Sequence, residues 1–169
     1  MATIPAGIII GVMGGGQADD QATQNAYRLG QLIAAEGWIL LNGGRCAGIM
    51  DASARGARER GGITVGILPD DHPAHASPHI HIPILTGMGS GRNYINALTS
   101  RVMVACPGGA GTLSEIALAL KHGRPVLLMG MPVGDLFAAD KAAGRLKTVS
   151  GPEEAIREIR TFLENGRFR

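Results

Sequence analysis

The chain has 169 residues, 45% of them hydrophobic and 18% charged, with a formal net charge of +2. That length suffices for one domain, residues 1–169, with a core of its own, and the composition excludes a disordered chain. The small charge and the 4% aromatic content argue against a nucleic-acid partner, and no apolar run near the N-terminus is long enough to span a membrane.

Gly7–Met13 reads as a buried first strand that ends in the glycine turn Gly14-Gly15-Gly16. Asp19 and Asp20 then stand where a helix start favours negative charge, and Ala22, Ala26, Leu29, Gly30 and Ile33 fall on one helical face before Gly37 ends the helix. Trp38–Asn42 is the second strand, running into a second glycine turn, Gly43-Gly44-Arg45-Cys46-Ala47-Gly48. A helix over 49–60 and a strand over Ile63–Leu68 complete a β-α-β-α-β run, which implies a parallel sheet with right-handed crossovers.

Residues 70–79 are polar and proline-bearing and read as a surface loop. Ile80, Ile82 and Ile84 alternate as in a strand, with Pro83 pointing to a sheet edge. Gly87–Asn93 is another glycine-rich turn, followed by a helix to about Ser100 and the buried strand Val102–Cys106. Then come a helix stopped by Gly123-Arg124-Pro125 and the strand Val126–Met129. Residues 130–144 read as loop with a helical turn at 136–140. A short strand over 146–149 precedes a final helix opened by Pro152, with Ser150 as its cap. The alternation is that of a doubly wound α/β domain with a mainly parallel sheet and helices on both faces. Such domains bind ligands at the carboxyl ends of the strands, where the glycine turns fall.

The turn Pro107-Gly108-Gly109-Ala110-Gly111-Thr112-Leu113-Ser114-Glu115 stands between an apolar strand and an apolar helix. Free N–H groups and the positive end of the helix dipole there suit a phosphate or another small oxyanion. Thr112 and Glu115 also have the spacing of a capping box, so a purely structural Glu115 is the other reading. Arg92 after the 87–91 turn is a candidate oxyanion clamp, Arg45 a second anion contact, and Asn42 sits on a ligand-facing turn. His72, His75, His79 and His81 form a histidine-rich loop, with His79 and His81 on one strand face. No Cys or acidic pattern frames them as metal ligands, and they read as solvated loop. Cys46 reads as a small apolar filler, with a reactive thiol as the other reading, and Cys106 as core. Two cysteines make no disulfide framework and fit a reducing cytoplasm.

Asn42–Met50, Gly61–Pro69 and the PGGAGTLSE turn together resemble the Rossmann-like superfamily of the Lonely Guy (LOG) proteins, often called "possible lysine decarboxylase". Over residues 7 to about 130 the chain looks most like the short branch that contains the molybdenum cofactor carrier proteins. That branch shows an Arg-Asn pair, here Arg92-Asn93, where LOG enzymes have their MHxRK motif. Arg92 and Glu115 match the LOG catalytic arginine and glutamate, whereas Gly89-Ser90-Gly91 and Arg101 depart from the enzyme pattern.

The resemblance implies a carrier of the molybdenum cofactor (molybdopterin), for storage, protection or transfer. Gly14, Gly15, Gly43, Gly44, Arg45, Arg92, Asn93, Gly108, Gly109, Gly111, Thr112 and Glu115 would bind this phosphate-bearing ligand. It also implies a cytoplasmic homo-oligomer, dimer or tetramer, with molybdoenzymes or cofactor-biosynthesis proteins as partners. The alternative is a LOG-type phosphoribohydrolase that cleaves the N-glycosidic bond of nucleoside 5′-monophosphates, with Arg92 and Glu115 catalytic. A more distant resemblance to DNA-processing proteins implies single-stranded DNA binding, against which the low charge and few aromatics argue.

Overall fold

A computed structural model describes residues 7–165; residues 1–6 and 166–169 of the expected 1–169 domain lie outside the described residues. Seven strands form one sheet: β1 (Ile9–Met13), β2 (Ile39–Asn42), β3 (Thr64–Leu68), β4 (Ile82–Leu85), β5 (Val102–Ala105), β6 (Val126–Met129) and β7 (Leu146–Val149). Their order is β4-β3-β2-β1-β5-β6-β7, and every pair is parallel, so the sheet is wholly and not just mainly parallel. The chain moves outward from β1 to β4, then returns to place β5 on the other side of β1. That reversal opens a crevice between the carboxyl ends of β1 and β5.

The helices are α1 (Asp20–Ala35), α2 (Gly48–Glu59), α3 (Arg92–Thr99), α4 (Ala110–Lys121), α5 (Ala138–Ala142) and α6 (Pro152–Asn165), with a 3₁₀ turn over Gly89–Gly91. Strand side chains alternate between two cores. Ile10, Val12, Leu40 and Val104 meet α1, α2 and α6 on one face, while Leu41, Met103, Ala105 and Leu128 meet α3 and α4 on the other. Asp19 caps α1 by accepting from the Ala22 N–H at 2.7 Å, and the five apolar-face residues read from its sequence are its buried ones. The crossing of α1 and α2 is close enough to need glycine: a Cβ on Gly30 would stand 2.1 Å from Ser53 O, and one on Gly56 2.0 Å from Tyr27 O.

Three local expectations change. Ser150 is not the cap of α6. Gly151 occupies that position, and Ser150 donates its N–H and hydroxyl to Glu154 Oε2, each at 2.6 Å. The helical turn near 136–140 lies over Ala138–Ala142 instead. The strand at the edge begins at Ile82, so His79 and His81 precede it, and its alternation buries neither face: all four residues of β4 are exposed. No helix of the described residues is long and apolar enough to cross a membrane.

Candidate functional site

The crevice between β1 and β5 is a cavity of about 480 Å³, within the usual range for small-molecule sites. One wall is the β1–α1 turn. Gly15 donates its N–H to Pro107 O at 2.9 Å, and its carbonyl accepts from Ile49 N–H at 3.1 Å, so this turn is tied to both neighbouring turns. Gly14, Gly15 and Gly16 line the cavity.

The floor is the start of α4. Gly109 is its cap residue, with extended backbone and no side-chain cap bond. The first intrahelical bond of the turn comes from Leu113 N–H to Gly109 O at 3.0 Å. The N–H groups of Ala110, Gly111 and Thr112 therefore belong to the helix end that lacks intrahelical acceptors. Gly109, Gly111 and Thr112 line the cavity. A Cβ on Gly109 would meet nothing within 4 Å, so the backbone there lies open to a ligand. The capping-box reading of Thr112 and Glu115 does not hold. The helix begins at Ala110, which makes Thr112 its third residue, and Glu115 is engaged from another helix.

Arg92 opens α3 and reaches under the β2–α2 turn. Its Nη1 donates to Gly43 O and to Ile67 O, which fixes the guanidinium while its other edge remains beside the cavity that it lines. Burial presses its pKa down, and the charge of Glu115 opposes that shift. Glu115 is buried, lines the same cavity, and accepts from Asn96 Nδ2 at 2.7 Å. Burial pushes its carboxyl above the ordinary range, against the pull of the Asn96 bond and of Arg92. Asn93 lines the cavity and donates to Ser114 Oγ at 2.9 Å, which ties α3 to α4. Arg45 lines the rim, its Nη2 3.1 and 3.0 Å from the two carboxylate oxygens of Asp70.

Of the twelve residues expected at the site, Gly14, Gly15, Gly43, Arg45, Arg92 and Asn93 meet Gly109, Gly111, Thr112 and Glu115 around this one cavity. The other two lie behind it. Gly44 has φ +75° and would put a Cβ 3.1 Å from Gly66 Cα, while its N–H donates to Asn42 Oδ1 at 2.8 Å. Gly108 would put a Cβ 2.2 Å from Thr112 Oγ1, so glycine there lets Thr112 pack against the turn. Asn42 also faces inward. It is fully buried and donates to Met50 O and Ser53 Oγ, bracing the turn from below. The sequence reading missed Met13, Met50, Pro69, Gly89 and Ser90 in the lining, and Asn96 behind Glu115. A visible signal for Asn96 was a polar residue one turn after Arg92, on the face of α3 that also buries Asn93 and Ala97.

The 72–81 loop folds over the β2–α2 turn through Cys46 N–H to His75 O at 3.1 Å and Ser77 N–H to Gly44 O at 2.8 Å. Cys46 is exposed instead of filling a gap, and its thiol is pushed up by desolvation and by Asp51. Cys106 is buried in the core, and burial alone pushes it up to about 12.

Comparison with known proteins adds a family. The profile of the SLOG cluster4 family matches residues 7–156. The molybdenum cofactor binding protein of Rippkaea orientalis superposes with a TM-score of 0.83 at 45% identity, over 93% of this chain and 98% of that one. The molybdenum cofactor carrier protein of Chlamydomonas reinhardtii superposes with a TM-score of 0.85 at 40% identity, over 94% and 99%. More distant is a cytokinin riboside 5′-monophosphate phosphoribohydrolase of Mycobacterium tuberculosis. It is 32% identical over 118 residues, 62% of this chain and 60% of the enzyme.

Proposed function

Because this chain belongs to the SLOG cluster4 family, LOG-like and close to the molybdenum cofactor carrier proteins, we propose that it is a carrier whose cavity holds the molybdenum cofactor. One observation carries the reading: Gly109, Gly111 and Thr112 at the uncapped start of α4 and the side chain of Arg92 line one cavity at the switch point of the sheet. That donor set fits the phosphate of a phosphate-bearing ligand. In this reading the N–H groups hold the phosphate, Arg92 fixes its orientation, and Arg45 adds charge at the rim. Glu115 accepts from an N–H or hydroxyl on the rest of the ligand. The bound cofactor supplies the metal chemistry of whichever enzyme receives it, and the carrier's own residues bind, orient and shield it.

The test is anaerobic incubation of the purified protein with isolated molybdenum cofactor, followed by gel filtration and assay of retained pterin and molybdenum. Co-elution, and its loss in Arg92→Ala, is the expected result. Cofactor that runs free of the wild-type protein overturns the reading. Light scattering on the same sample tests the homo-oligomer that belongs to it.

A second reading, hydrolysis of a nucleoside 5′-monophosphate, is favoured by one specific observation. Arg92 and Glu115 line the same cavity and act on one another electrostatically. Adenine released from AMP by the wild type and not by Glu115→Gln would put this reading first.

A further inference from the structure

Glu115 is a carboxyl group inside a cavity otherwise furnished for an anion. Arg45 and Arg92 are the other titratable groups of the lining, and Asp70 stands behind Arg45. An ionised Glu115 would repel the ligand that the rest of the site attracts. Its partner on the protein side is Asn96, one turn along α3 from Arg92, itself fully buried. The contact runs from Asn96 Nδ2 to Glu115 Oε1 at 2.7 Å. Asn96 Oδ1 is buried and has no hydrogen-bond partner among the described residues. Buried amide oxygens are rarely left in that state, and here the unused atom sits on the group that holds the carboxyl.

We infer that Asn96 is a positioning residue whose amide follows the proton of Glu115. A side-chain amide carries a donor and an acceptor at nearly interchangeable positions. With Glu115 ionised, Nδ2 donates to Oε1. With Glu115 protonated on Oε1, a half-turn of the amide lets Oε1–H donate to Oδ1 over the same short span. Either state keeps one bond between the two side chains and leaves one amide atom idle. Oε2 is an acceptor in both states, so Glu115 loses its negative charge beside an anionic ligand and still offers that ligand an acceptor, a weaker one once neutral. The inference deepens the proposed site and rests on Glu115 facing the ligand, and its ligand class is an anion that carries an N–H or O–H donor.

The test needs no ligand, so failure of the cofactor-binding experiment and failure of this one are distinct. The full chain is labelled with ¹³C in glutamate carboxyls and ¹⁵N in asparagine amides, and Glu115→Gln and Asn96→Leu assign the two signals. The Glu115 carboxyl should titrate above the ordinary range, and the Asn96 amide should shift with the same midpoint. Asn96→Leu removes the bond that favours the ionised form. It should move the Glu115 midpoint further up by about one pH unit, a tenfold change in proton affinity. A Glu115 midpoint unchanged in Asn96→Leu, or an Asn96 amide signal that stays flat through the Glu115 titration of the wild type, overturns the inference. The second readout uses the wild-type protein, in which the Asn96 amide is also the asparagine signal displaced by Glu115→Gln through the 2.7 Å contact, so it stands even where the leucine variant does not fold.

Discussion

Replacing Gly30 by alanine sets two effects of opposite sign against each other. Alanine in a helix interior is favoured over glycine by about 1 kcal/mol. The added Cβ, however, would lie 2.1 Å from Ser53 O, 2.9 Å from Ala57 N and 3.0 Å from Ser53 C. These are backbone atoms of α2, so no side chain can turn aside, and the two helices must separate by about 1 Å to reach ordinary contact. Overpacking of a tight core costs roughly 1–3 kcal/mol, and a backbone clash belongs at the upper end. The net effect is a loss of about 2 kcal/mol, which for a chain of this size lowers Tm by roughly 4–8 °C. Gly56→Ala makes the reciprocal clash, 2.0 Å from Tyr27 O, and should cost a similar amount. Because one separation of α1 from α2 relieves both contacts, the double variant should lose clearly less than the two single losses combined. Thermal denaturation followed by circular dichroism reads all three. An unchanged or higher Tm in Gly30→Ala, or strict additivity in the double variant, refutes the argument.

Gly43→Ala should act on the site more than on the fold. Its Cβ would stand 2.4 Å from Arg92 Nη1, the end of a flexible side chain, so the guanidinium swings away. Retention of the molybdenum cofactor in gel filtration should fall about tenfold, as for a lost charged hydrogen bond, and Tm should drop by a few degrees at most as Gly43 O and Ile67 O lose their donor. Glu115→Gln should raise stability in a pH-dependent way. A carboxyl whose folded pKa is raised contributes stability that is present at low pH and lost as pH rises through the folded value. The glutamine variant should therefore melt higher than the wild type at pH 7 and above. The gap should close towards about pH 4, where the unfolded carboxyl is protonated; a gap that widens on acidification contradicts the burial argument. A thiol reagent should modify one cysteine in the native protein and two in guanidinium, the accessible one being Cys46 and the protected one Cys106. Mass spectrometry of the labelled peptides decides this.

Most of the fold was legible because its strands are short apolar runs and its helices carry clean apolar faces: the five residues read as the inner face of α1 are its buried ones. The parallel order followed from the alternation of strand and helix, interrupted between β3 and β4, where a loop makes the crossover. What could not be read were contacts between residues distant in sequence. The spacing of Thr112 and Glu115 is the same whether it caps a helix or not. Only the start of α4 at Ala110 and the bond from Asn96 on another helix decide the matter. Gly44 and Gly108 look like their neighbours in a glycine turn, yet face Gly66 and Thr112 instead of the cavity. β4 misled for a different reason. Alternation signals one buried face, but among the described residues Ile82, Ile84 and Leu85 of this edge strand all remain between 42% and 49% exposed.

The strand order has a consequence for the time course of folding. β1 lies in the middle of the sheet, with β2 pairing Ile9 to Ile39 on one side and β5 pairing Ile10 to Val102 on the other. On a ribosome the first four strands emerge as a run of neighbours that can zip together in order. The other edge of β1 must then wait for a strand from the far half of the chain. Closing so long a loop delays the reward of the contacts it makes, so the joining of the halves is the slow step. The crevice at the β1–β5 seam therefore cannot form before β5 has emerged, and a nascent chain acquires this cavity only when both halves have met.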